Sequence, residues 1–346
     1  MLKQKYFLAD IFILSAEKQP IKLSWRKIEW LHMFFVSKDL LFDWHDIGIK
    51  SAILSRVCVA IFVFLSGYGL MVSSKINESL IAFYRKRLFK LLLNYWYIWL
   101  LFVPIGVFVF HRTFDAVYGQ NEPLYPILDF VGLLNCLGKQ SYNMSWWFYS
   151  CIILLYVLFP IFNYIIKTKW GQYLLVLLGI FLCIIPSGYL SIFEPIKNYL
   201  LVFIAGMIFY KKGVLFSSPN FKYIVFLCAI ISCGLRLKLP QLEGITDTII
   251  CIFIVDCYKR HCNANNLSLL KLLGFHSFNI YLFHSFINMY YFTDIVYWCN
   301  NPLVVFPFFV ILCMIISLII EKSKDIIGFY KIQNILMKAK RNKTDI

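Results

Sequence analysis

Two histidines and one basic cluster are the candidates for chemistry in this sequence. His32 lies in the half-length apolar stretch Ile28 to Ser37 (IEWLHMFFVS), and His284 in the apolar run Phe278 to Phe292. A histidine takes up and returns a proton near neutral pH, which is what a hydroxyl needs as it attacks an activated acyl group; packed between helices, the same side chain is a structural polar group. The basic cluster is Arg85, Lys86, Arg87 and Lys90 in IAFYRKRLFKLLLNYWYIW, set against an apolar run that continues to about Phe110. Arg87 and Lys90 are three residues apart, hence on one face of a helix, and an arginine fork grips phosphate with paired hydrogen bonds. The cluster suits a cytosolic donor carrying phosphates. It equally suits the basic flank that membrane proteins keep on the cytoplasmic side.

The elements that must position these residues are apolar helices. Hydrophobic residues make up 60% of the chain and charged residues 15%, and the mean hydropathy is +0.71, values that mark a polytopic membrane protein rather than a soluble domain. Apolar runs lie at Ala52 to Val72, Leu91 to Phe110, Trp147 to Ile166, Tyr173 to Ile185, Ile196 to Tyr210, Tyr223 to Leu235, Ile245 to Cys257, Phe278 to Phe292 and Leu303 to Ile320. With Ile28 to Ser37 as the end of a first span, the expectation is an all-α bundle of about ten transmembrane helices. The net charge of +16 is confined to short segments between these runs, so it reads as topology and not as a nucleic-acid surface. Lys75, Arg85, Arg87, Lys90, Lys167, Lys169, Lys211, Lys212, Lys259, Arg260 and the stretch from Lys322 to Lys343 fall on one side. Both termini are therefore expected in the cytoplasm, and the longest loop, His111 to Met144, outside. The corresponding division is a cytoplasmic segment over 1–27, a transmembrane domain over 28–321 and a basic cytoplasmic tail over 322–346.

Other classes are disfavoured by the residues. The eleven cysteines are scattered without a CxxC pair, and are read as small packing residues with no metal site and no disulfide framework. There is no GxxxxGKS loop and no GxGxxG after a strand, which argues against an ATP-driven motor. A flippase or polymerase of lipid-linked glycans stays open, with the basic residues on lipid pyrophosphate. Such a protein is expected to carry charges within its spans, and Arg56 is nearly the only strong example. Ser66 and Gly67 in FLSGYG suit either a close backbone approach at a cavity or helix packing through small residues.

Five segments in order, IFVFLSGYGL (Ile61 to Leu70), FYRKRLFKLLLNYW (Phe83 to Trp96), SWWFYSCIILLYVLFP (Ser145 to Pro160), FIAGMIFYKKG (Phe203 to Gly213) and HSFNIYLFHSF (His276 to Phe286), resemble acyltransferase family 3. These are bacterial integral-membrane O-acyltransferases of surface glycans. The resemblance implies acetyl-CoA or another acyl-CoA as donor substrate, with no tightly bound cofactor. It implies a glycan or lipid-linked saccharide hydroxyl as acceptor and a multi-pass location in the bacterial plasma membrane. By the same resemblance His32 is the general base or relay, Arg87 and Lys90, with Arg85 close by, hold the CoA phosphates, and Tyr281 and His284 line the substrate cavity. The sequence departs from the family pattern in three places, one being that WFYSCIILLY lacks the glutamates some branches carry after WFL, so no carboxylate is assigned there. Lys90 replaces an arginine, keeping the charge and losing the fork. The segment before His32, KQPIKLSWRK, is too polar to span, so the first helix reads as truncated or replaced.

Overall fold

The computed structural model describes residues 50, 53–54, 56–74, 79–120, 122–185, 196–212, 219–261, 268–299 and 301–337. His32 and the rest of the N-terminal segment lie outside them. The described residues are helical and contain no strand. In chain order the helices are α1 (Val57–Ser73), α2 (Leu80–Phe108), α3 (Phe114–Tyr118), α4 (Leu124–Val131), α5 (Trp147–Ile165), α6 (Lys169–Ile184), α7 (Leu200–Lys212), α8 (Pro219–Lys238), α9 (Glu243–His261), α10 (Ser268–Ser285), α11 (Thr293–Val296), α12 (Pro302–Ile326) and α13 (Phe329–Met337). Short 3₁₀ turns precede α5, and a π-helical turn, Phe286–Tyr291, continues α10.

Three segments, Leu80–Phe108, Met144–Ile165 and Val304–Ile326, are long and apolar enough to cross a membrane, and α1, α6 and the stretch Leu200–Lys211 are shorter apolar helices. The helices extend beyond the apolar runs because capping, rather than hydropathy, sets where they start. Ser79 accepts a hydrogen bond from the Ala82 amide, so α2 begins at Leu80 and carries the whole basic cluster inside its first turns. Thr168 caps α6 in the same way, through the Gly171 amide at 3.0 Å.

The long helices alternate in direction. At one end the Tyr84 hydroxyl of α2 donates to the Val157 carbonyl of α5 (2.8 Å), and Lys211 of α7 donates to the Ile166 carbonyl just after α5 (2.8 Å). At the other end Arg56, just before α1, meets Glu243 at the start of α9, and Tyr281 near the end of α10 meets Ser145 just before α5. Two aromatic-rich cores fill the interior. One joins α1, α5 and α7; the other joins α2, the α10 and π-turn segment and α12.

The first core depends on two facing glycines. A Cβ at Gly67 would run into the Phe203 carbonyl, and one at Gly206 into the Phe64 carbonyl, so α1 and α7 pack backbone to backbone. Of the two readings of FLSGYG, helix packing is the one observed at Gly67.

α12 runs past Lys322 to Ile326, and α13 follows so that Phe329 packs edge-on to Tyr97 of α2. The loop from His111 to Met144 is organised around Asp129. Its carboxylate accepts from the Tyr118 hydroxyl (2.5 Å) and the Tyr142 amide (2.7 Å). Burial pushes the Asp129 carboxyl above its ordinary range, with hydrogen bonds from Tyr118, Tyr142, Ser141 and Tyr95 pulling the other way.

Candidate functional site

The Ser145 to Trp147 corner, which begins α5, is held against the end of α10 by a set of hydrogen bonds. Trp146 donates its indole N–H to the Leu282 carbonyl (2.9 Å), and Asn143 donates to the same carbonyl (3.3 Å). The Tyr281 hydroxyl donates to the Ser145 carbonyl, and the Met144 amide donates to the Tyr290 hydroxyl (3.3 Å). Asn143 also takes the Ser145 amide on its side-chain oxygen (2.9 Å). The corner and the helix end are thereby in register over ten residues of α10 and its π-turn, from Tyr281 to Tyr290.

This register places two hydroxyls on one imidazole. His284, 1% exposed, has Nδ1 at 2.9 Å from the Tyr281 carbonyl and 3.2 Å from the Ile280 carbonyl. Carbonyls only accept, so Nδ1 carries the ring proton and Nε2 presents a lone pair. Nε2 lies 3.1 Å from Ser285 Oγ and 3.3 Å from Ser145 Oγ, and the two serine oxygens are in contact with each other. The arrangement is a base, oriented by its own helix backbone, that can take a proton from a serine hydroxyl. Tyr281 positions this corner through its bond to the Ser145 carbonyl.

One turn past His284, Asn288 is 1% exposed, and neither its amide nitrogen nor its carbonyl oxygen has a hydrogen-bond partner among the described residues. Such a group normally costs about 1–3 kcal/mol to bury unpaired, and π-turns are common at functional sites. The rest of the wall is aromatic. Phe102 of α2 stacks on Phe283 and Phe286, with ring centres 5.6 and 5.1 Å apart, and Tyr95 stacks on Tyr149 at 4.1 Å.

The basic cluster sits at the opposite end of α2. From Arg87 to Phe102 is fifteen residues, or about 22 Å of helix. Arg87 donates to the Ser73 carbonyl (2.7 Å), closing the last turn of α1 and tying it to α2. Arg85 and Lys86 are half-buried and Lys90 is exposed. No carboxylate pairs with these three among the described residues. The structure thus brings Tyr281 and His284 together with Ser145, and keeps Arg85, Arg87 and Lys90 as a separate group.

A family comparison bears directly on this arrangement. The acyltransferase 3 family model, described as an acyltransferase domain, matches residues 28–322. The chain belongs to acyltransferase family 3. No curated protein and no solved structure matches it. Membership makes the protein an acyltransferase, and together with its apolar helices marks it as a membrane protein. The match ends at the last turns of α12 and includes every candidate site residue, His32 among them.

Reading the residues alone singled out His284 and the family resemblance added Tyr281; neither pointed to Ser145, Ser285 or Asn288. Ser145 opens SWWFYS and Ser285 follows His284 directly, but a serine in an apolar segment carries no signal until a base is found beside it. Of the buried charges, sequence singled out Arg56 and not Arg236 or Lys324. Arg56 donates to both Glu243 oxygens (2.6 and 2.8 Å), and Arg236, near the end of α8, is 2% exposed. Arg236 pairs with Glu243 and Asp247. Lys324, fully buried, donates to Asn94, Asn279 and Glu321, each at 2.9 Å. Among the described residues no cluster of three or more possible metal ligands occurs.

Proposed function

We propose that this acyltransferase moves an acyl group, acetyl in the first instance, from acyl-CoA to a hydroxyl of a cell-surface or lipid-linked glycan at the bacterial plasma membrane. In this reading the bundle crosses the bilayer about ten times, with both termini and the basic end of α2 in the cytoplasm. The positive-inside distribution of charge supports that orientation. The observation that carries the proposal is the separation of two unlike groups along α2, cations with no carboxylate partner among the described residues at one end and a neutral serine–histidine cluster at the other.

The donor and acceptor differ in the same sense. CoA is large and polyanionic and stays where it is made, so its phosphates suit Arg85, Lys86 and Lys90. Arg87 has one nitrogen committed to Ser73 and so holds the helix junction as much as the ligand. An extended pantetheine arm has a length of the same order as the gap to His284. The acyl group alone is small and uncharged enough to be handed on inside a water-poor interior. His32 is assigned the role of base toward the glycan hydroxyl on the strength of the family resemblance.

Full-length protein in phosphatidylethanolamine and phosphatidylglycerol vesicles, supplied with acetyl-labelled acetyl-CoA and a lipid-linked saccharide fraction, is expected to label the saccharide. His32→Ala is expected to abolish labelling with the folded protein retained. Label that stays in acetyl-CoA or appears only as free acetate in the wild-type protein would sink the proposal; full activity in His32→Ala would remove that residue from it.

A further inference from the structure

We infer that Ser145 is itself acylated during the reaction, so that the acyl group passes from CoA to a serine ester on the protein and from there to the acceptor. The inference rests on the acyl-CoA reading above and goes beyond it, since direct transfer between two bound substrates needs no protein nucleophile. Three observations point to a covalent step. Ser145 Oγ lies 3.3 Å from the Nε2 lone pair of His284, whose tautomer is held by two carbonyl acceptors on Nδ1. This is the nucleophile, base and orienting group that covalent acyl transfer requires. The second serine, Ser285, is in contact with Ser145 Oγ and also with Nε2, so a hydroxyl proton has a continuous route to the ring. Third, Asn288 is buried with both amide atoms unpartnered among the described residues. It lies between Ser285 and Tyr290, both of which touch the Met144 to Ser145 corner.

The choice of Ser145 over Ser285 follows from position. Ser285 is fully enclosed, whereas Ser145 keeps 8% of its surface and stands before a nineteen-residue helix whose dipole favours negative charge at that end. The first amides of that corner are already used. Ser145 N–H is taken by Asn143 and Trp146 N–H by the Asn143 carbonyl. A donor for the developing oxyanion must come from elsewhere, and the Asn288 amide nitrogen has no partner among the described residues.

The balance is complete. Ser145 Oγ attacks the thioester carbonyl and its proton goes to His284 Nε2. The carbon–sulfur bond breaks, the CoA thiolate leaves and takes that proton, and an acyl ester remains on Ser145. A glycan hydroxyl then attacks the ester, its proton passes to Nε2, and Nε2 returns it to Ser145 Oγ. The net reaction is acyl-CoA plus hydroxyl giving ester plus CoA.

The test is acyl exchange without acceptor. Full-length protein in the same vesicles is given acetyl-CoA and labelled free CoA, with no saccharide present. The expected result is label entering acetyl-CoA, an acetyl group recovered by mass spectrometry on the peptide containing Ser145, and a loss of at least about 100-fold in exchange for Ser145→Ala. Ser145→Cys checks that folding is not the cause: it is expected to trap an acetyl thioester that hydroxylamine removes. Asn288→Ala is expected to slow exchange with little change in the acetyl-CoA concentration for half-maximal rate. Saccharide labelling with no exchange and no acetylated Ser145 would overturn the relay and leave the acyl-CoA reading standing. An acetyl group mapped to Ser285 would overturn the choice of nucleophile. Exchange with no saccharide labelling would keep the relay and remove the glycan acceptor. Neither signal in the wild-type protein would remove both.

Discussion

Two buried polar clusters lie at the same end of the bundle and are built on opposite principles. Around Glu243 the groups are charged and mutually paired, with Arg56 bound through two hydrogen bonds and Arg236 placed between Glu243 and Asp247. Around His284 the groups are neutral, two hydroxyls share one nitrogen, and Asn288 has neither amide atom paired among the described residues. Charges taken out of water must be set against opposite charges, so the first cluster acts as a clamp on α1, α8 and α9. The second can change partners without exposing a charge, which is what a site that opens to a substrate and closes again requires.

The largest effect separating the two should come from Glu243→Ala. It leaves Arg56 and Arg236 without their shared partner, and is expected to cost about 3–5 kcal/mol of stability, seen as a lower unfolding temperature in detergent and a poor folded yield. If that variant were as stable as wild type but inactive, the Glu243 cluster would belong to the chemistry and the contrast would fail. His284→Gln should do the reverse, lowering the transfer rate by about 10²–10³-fold with an unfolding temperature close to wild type. A mainly thermal defect there would make His284 a packing residue.

Gly206→Val tests the packing that sets both clusters on their helices. The added carbons meet the Phe64 carbonyl across the α1–α7 contact, with an expected loss of about 1–3 kcal/mol from overpacking and activity falling only in proportion to folded protein. The smallest effect belongs to the basic end of α2. Neutralising Arg85 and Lys90 together should raise the acyl-CoA concentration needed for half-maximal rate by roughly tenfold, with maximal rate little changed and the difference shrinking at high salt. An unchanged dependence on acyl-CoA would return that cluster to topology alone.

The two clusters also differ in how far they could be read from the chain. His284 stands in SFNIYLFH, a segment whose order relative to SWWFYS and FYRKRLFK carries the family resemblance, so the histidine could be singled out before its neighbours were known. Ser145 is 139 residues away from it in sequence, and nothing local distinguishes it from Ser150, which donates to the Gly132 carbonyl and has a structural task. Arg236 shows the converse failure. It stands close to Lys238 near the end of α8, where sequence suggests a loop charge, yet its side chain turns inward to Glu243 and the Ile53 carbonyl. Charge counting locates a residue along the chain and is silent about which way its side chain points.

Composition and periodicity by themselves determined that this chain is helical and apolar, because a chain with 60% hydrophobic residues can satisfy its backbone in lipid only within helices or closed barrels, and the uninterrupted apolar runs select helices. The order of its motifs determined the family. Tertiary structure alone decided which hydroxyl meets which base, which arginine is a clamp, and how far the cations stand from the histidine. Those relations are distances between residues far apart in sequence, set by how α5 docks on α10 and α1 on α7, and one-dimensional spacing carries no measure of them.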